Sequence, residues 1–125
     1  MDIVIKRIYE EPSPDDGYRV LVDRLWPRGV SKDKAHLDEW AKDLAPSTEA
    51  RRDFGHKPEN FESFKQRYLN ELDSNSEVYP ELERMVAGAQ KLQSSRVTLL
   101  YGAESPTCNH AVILRDYLID RLKSL

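Results

Sequence analysis

A single cysteine in 125 residues, Cys108, rules out an internal disulfide and any zinc site built on several cysteine ligands. Neither sign of charge dominates: 19 basic and 22 acidic side chains, well mixed along the chain, give a net charge of −3. A general nucleic-acid coat would need a basic excess. No stretch approaches the roughly 18 to 20 consecutive apolar residues of a membrane span. The opening "MDIVIKRIYEEP" has too short an apolar run and too much acid for a secretory signal. The three histidines, His36, His56 and His110, stand at no metal-ligand spacing. Walker, G-x-G-x-x-G and G-x-S-x-G motifs are all missing. These absences leave a soluble chain, expected in a reducing cytoplasm, with no cofactor, no metal and no membrane partner implied.

What is present is a globular composition, 39% hydrophobic and 33% charged, and a length that suits one domain over residues 1–125 with a core of its own. "DIVIKRI" (2–8) and "YRVLVDR" (18–24) read as strands, separated by the turn-rich "EEPSPDDG". The run Val20-Leu21-Val22 suits burial on both faces. "HLDEW" (36–40) is expected to be a short third strand. Ser47 is placed to cap a short helix ending at Gly55. Pro58 opens a longer helix with Phe61, Phe64, Tyr68 and Leu72 on one face. Leu82, Met85, Val86, Ala89 and Leu92 repeat that pattern in the next. "RVTLLYG" (96–102) is the clearest buried strand. Ser105-Pro106 is expected to cap and open a final helix burying Ala111, Leu114, Leu118 and Leu122.

Strand, helices, strand, helix predicts an α/β fold: a small, mainly parallel sheet flanked by about four helices, the last strand followed by a long helix. In such sheets ligands collect at the carboxyl ends of the strands. Three loops lie there, "LWPRGV", "WAKDLAPS" and "GAESPTCNH", and they hold most of the unusual side chains.

In "VDRLWPRG" (22–29) the planar guanidinium forks of Arg24 and Arg28 suit a carboxylate or phosphate. Asp23 adjoins them, and Trp26 and Trp40 offer flat apolar faces. Lys42, Ser47 and Tyr101 stand where they would line the same crevice. His110 is the candidate acid or base and Asn109 its orienting group. Arg51 and Arg52 extend a positive rim or are ordinary exposed charges. Cys108 fits a catalytic thiol poorly, because Arg115 stands seven positions on where a C-x₅-R loop needs six, and the cradle glycines are missing. Two further readings compete with an anion site. One is an interaction module that binds a protein or a nucleic-acid end through the arginine and tryptophan surface. The other is a structural latch, with both arginines paired to internal carboxylates and both tryptophans buried.

"DGYRVLVDRLWPRG", "LDEWAKDLAPSTEARRDF", "FKQRYLNEL" and "VTLLYGAESPTCNHAVIL" occur together and in order. In this combination the chain resembles the YeaO-like branch of the family known as domain of unknown function 488, over essentially its whole length. The resemblance implies a compact α/β domain of bacteria and archaea. It marks as characteristic Tyr18, Arg19, Asp23, Arg24, Trp26, Pro27, Arg28, Gly29, Trp40, Lys42, Pro46, Ser47, Tyr68, Leu100, Tyr101, Asn109, His110 and Ala111. A longer branch of the family carries Cys-His-Arg where this chain has Cys108-Asn109-His110, so an anion here would depend more on Arg24 and Arg28. The resemblance names no substrate. The expected ligand is a small anionic molecule or nucleotide, with catalysis left open and a nucleic-acid partner less favoured.

Overall fold

The computed structural model describes all 125 residues. Four strands, β1 (Asp2–Arg7), β2 (Tyr18–Leu21), β3 (Glu39–Trp40) and β4 (Arg96–Tyr101), form one sheet in the order β1-β4-β2-β3 with every neighbouring pair parallel. Five helices accompany it: α1 (Lys32–Ala35), α2 (Thr48–Phe54), α3 (Phe61–Asp73), α4 (Val78–Lys91) and α5 (His110–Leu122). The sequence leads one to expect about four, and α1 is the one-turn addition. All-parallel pairing follows from the connections, since a strand can return parallel to its neighbour only by way of a crossover segment.

Alternation along the strands divides the interior in two. Val20 and Val22 join Val97, Leu99 and Tyr101 in the larger cluster, which the helix residues Leu72, Leu82, Met85, Leu114 and Leu118 complete. Leu21 and Leu100 point the other way, into a small cluster with Ile8 and Ala35 that Trp26 and Trp40 cover. Both faces of β2 and β4 are thereby closed, as the unbroken apolar runs require.

The element ends follow local chemistry. The Ser47 hydroxyl accepts the Ala50 amide to cap α2, and Gly55 stops it in the left-handed region at φ 57°. Pro58 opens a 3₁₀ turn that runs into α3. Gly17 turns the chain into β2 at φ 66°, where a Cβ would collide with the Arg96 carbonyl.

Two expectations are corrected. The last helix begins at His110, not Ser105-Pro106, with the Asn109 side chain accepting the Val112 amide as its cap. Ser105 Oγ instead accepts the Thr107 and Cys108 amides, building a separate turn ahead of the helix. Leu92 continues the apolar period on paper, but it lies at the terminus of α4 and is exposed. No helix is long and apolar enough to cross a membrane.

Candidate functional site

Beyond the end of β2 the chain stays beside β4 for one more residue, the Val22 amide donating to the Leu100 carbonyl at 3.0 Å. This brings Asp23 to the carboxyl end of β4. Its Oδ2 accepts the Gly102 amide at 2.9 Å, and its backbone carbonyl accepts the Trp40 indole N–H at 2.7 Å. A Cβ on Gly102 would stand 3.0 Å from Oδ2, so the bare glycine lets the carboxylate close on the amide.

His110, the first residue of α5, completes the cluster. Its Nε2 lies 3.0 Å from the Val22 carbonyl and 3.3 Å from Asp23 Oδ1. A carbonyl only accepts, so Nε2 must carry a proton. Aimed at Val22, that proton leaves Oδ1 close to the ring but without a hydrogen-bond donor. Burial pushes the His110 imidazolium down, with the Asp23 charge opposing. Burial likewise pushes the Asp23 carboxyl up, against His110 and the Gly102 amide. Burial thereby favours the neutral imidazole, in which Nδ1 is the one acceptor.

The two arginines of "VDRLWPRG" part company. Arg24 Nε donates to the Pro46 carbonyl at 3.1 Å and Nη2 to the Ala45 carbonyl at 3.2 Å, tying the strand loop to the segment before α2. Arg28 uses only its backbone carbonyl, which accepts the Tyr9 hydroxyl at 2.8 Å, and its side chain is exposed. Both tryptophans are half-buried and internally engaged: Trp26 donates to the Val30 carbonyl at 2.6 Å, and the rings meet edge to face at 5.4 Å.

Two openings flank this cluster. One, of about 330 Å³, takes in Asp23, Arg24, Leu25, Trp26, Arg28 and Arg51. Its neighbour, of about 260 Å³, adds Thr48, Arg52 and Asn109 over Phe54 and Phe64. Pro46, Arg51, His56, Ala103 and His110 belong to both, so the two adjoin. Asp23, Arg24, Trp26, Arg28, Asn109 and His110 are thus brought together.

The other candidates lie elsewhere. Lys42 sits over the Trp40 ring at 4.5 Å, and Tyr101 is buried in the main cluster. The Ser47 amide and hydroxyl both donate to Glu71, at 2.9 and 2.6 Å. Asn109, although it lines the 260 Å³ opening, is occupied as a cap, its Nδ2 donating to the Ser105 carbonyl at 2.8 Å. Arg51, which the sequence offers as a rim charge or an ordinary exposed one, lines both openings. One contributor escapes a reading of the sequence. His56 is brought to the mouth by two successive left-handed residues, Gly55 and His56, at φ 57° and 58°. A glycine stop signals the first; nothing signals the second. Cys108, a free and half-buried thiol, lines a third opening of about 640 Å³ with His56, Gly102 and Ala103. Nowhere do three His, Cys, Asp or Glu side chains gather in a way that would hold a metal ion.

A family model described as the inactive DUF488-N3 subclade matches residues 2–125. The chain is 43% identical over 118 residues to the uncharacterized protein YeaO of Escherichia coli (strain K12), covering 94% of this chain and 97% of that one. It is 39% identical over 117 residues to the uncharacterized protein Rv3073c of Mycobacterium tuberculosis (strain ATCC 25618 / H37Rv), covering 94% and 93%. No solved structure matches the chain.

Proposed function

The chain belongs to the inactive DUF488-N3 subclade, and from that premise we propose that it binds a small anionic molecule, a phosphate- or carboxylate-bearing metabolite or a nucleotide, at the carboxyl edge of its sheet without turning it over. The observation that carries this reading is the charge lining the opening of about 330 Å³. Arg28 and Arg51 face it with no carboxylate partner, and its one acidic side chain, Asp23, is already held by Gly102 and His110. Unpaired guanidinium groups in a concave setting suit a planar or tetrahedral anion. Asp23 and His110 act as the rigid floor that positions the loops. The subclade's description as inactive supports binding over turnover, and so does the engagement of Asn109 as a helix cap.

A thermal-shift panel of phosphate, sulfate, nucleotides and sugar phosphates on wild type and Arg28→Ala tests the reading. A ligand present at a hundred times its Kd adds about 2.7 kcal/mol of stability. A phosphorylated hit that is lost in the variant supports the proposal. A panel in which no anion shifts the wild-type melt overturns it.

One observation favours a second reading, an interaction module for a nucleic-acid end. Arg51 belongs to both openings and joins Arg24 and Arg28 to Arg52 along a basic rim. Binding to a short oligonucleotide would then fall steeply with salt, the slope counting the phosphates neutralised. A closed small-molecule site gives a shallow slope.

A further inference from the structure

Outside the arginine-lined openings, two carboxyl groups meet in a way that ionised carboxylates do not. Glu39 Oε1 accepts the Tyr18 hydroxyl at 2.8 Å. Glu81 Oε1 accepts Arg84 Nε at 2.9 Å, and Arg84 Nη2 holds the same oxygen. The remaining oxygen of each, Oε2 of Glu39 and Oε2 of Glu81, is buried with no hydrogen-bond donor, although the two side chains are within hydrogen-bonding reach of each other. Ionised, both oxygens could only accept, and each would lose its hydration without replacement. The two negative charges would also repel. One proton removes both faults, because a protonated carboxyl donates to its ionised neighbour.

We propose that Glu39 and Glu81 share a single proton, and that the hydrogen bond it makes is a latch holding the outer strand β3 to helix α4. The charge stays on Glu81, paired with Arg84, and the proton stays on Glu39. Burial and the neighbouring Glu81 push the Glu39 carboxyl up to about 7, while Tyr18 and Arg84 oppose them. The groups around the pair favour holding a proton. Tyr18 comes from β2; Asp38, just before β3, accepts the Arg19 amide at 2.8 Å. Glu77 and Arg84 come from α4 and its start, 3.9 Å apart. Asp38, Glu77 and Glu81 thus outnumber the single cation Arg84. Glu39 has Trp40 as its neighbour in β3, and the Trp40 indole holds the Asp23 carbonyl, so the latch reaches the edge that carries the arginine cleft.

The direction in pH follows. A carboxyl held above its ordinary value of 4.5 contributes stability that is present below about 4.5 and is lost as the pH rises through about 7. Asp23 and His110 are also shifted from their ordinary values, so the decisive quantities belong to Glu39 itself. In a carboxyl-¹³C NMR titration of the wild-type chain, one glutamate carbon should titrate near pH 7 and be missing in Glu39→Gln. In Tyr18→Phe its midpoint should move upward, because the hydroxyl donates to the ionised form. Glu39→Gln also supplies a permanent donor, so its stability relative to wild type should increase between pH 5 and pH 8 in urea unfolding. A wild-type titration with every glutamate carbon complete below about pH 5.5 overturns the proposal, whether or not the variants fold. So does a midpoint that Tyr18→Phe leaves unmoved.

Discussion

Replacing Arg24 and Arg28 by alanine one at a time separates a tie from a free charge. Arg24 makes two hydrogen bonds, to the Ala45 and Pro46 carbonyls, from a half-buried position. Hydrogen bonds to charged groups are worth roughly 1.5–3 kcal/mol each when buried. Here water can reach the freed carbonyls in part, and both bonds tie down one short segment, so we take about 1–2 kcal/mol for the pair together. For a chain of this length that is a melting-temperature drop of roughly 4–8 °C. Arg28 loses no partner when truncated, and surface changes of that kind stay within about ±0.5 kcal/mol. Arg24→Lys should recover less than half of the loss, because one ammonium cannot reproduce the two-pronged contact. Urea unfolding followed by tryptophan fluorescence measures all three, provided the slope stays constant. Equal losses at positions 24 and 28, or a larger loss at 28, would refute the assignment of Arg24 to the fold and Arg28 to the ligand.

Other consequences are open to the same assays. A Cβ on Gly88 would fall 2.2 Å from the Tyr18 ring, so Gly88→Ala should destabilise by about 1–3 kcal/mol through overpacking, despite the roughly 1 kcal/mol a helix gains from alanine over glycine. In a Tyr18→Ala background the same change should stabilise, and a double-mutant cycle reads that reversal of sign. Ser47→Ala removes the cap of α2 and a bond to Glu71, and should cost about 1–2 kcal/mol in urea unfolding. His110 is held below its ordinary value by burial, so the unfolded chain takes up the proton first and stability falls as pH drops below about 6.5. His110→Gln, which keeps a donor toward the Val22 carbonyl, should weaken that acid-side loss in a pH series of melting curves.

How far the sequence reaches into this structure depends on whether a signal is local. Val20-Leu21-Val22 and "VTLLY" announce strands buried on both sides because burial needs only apolar side chains in a row, and both lie at the middle of the sheet. Ser47 and Gly55 bound α2 as their chemistry demands. The three loops at the carboxyl edge are legible from element order alone, and Asp23, Arg24, Trp26, Arg28 and His110 do converge there. Partner choice is not legible. Arg24 and Arg28 are alike in sequence, yet the path of the loop turns one toward two carbonyls and the other toward solvent. Ser105 and Asn109 are equally good caps by residue type, and only the three-dimensional turn decides that Asn109 meets the helix. Glu39 and Glu81 are 42 positions apart in sequence, so no local pattern pairs them.

The proposed binding of an anion through Arg28 and Arg51, in the opening of about 330 Å³, is open to one direct test. Isothermal titration of inorganic phosphate and of adenosine 5′-monophosphate into wild type, Arg28→Ala and Arg51→Ala tests it most directly. Saturable binding of at least one of the two is expected, weakened about tenfold or more in each variant, which is roughly 1.4 kcal/mol per lost guanidinium, with melting temperatures of the ligand-free proteins unchanged. Binding that both variants retain at full strength, or no binding by the wild-type protein, would contradict it.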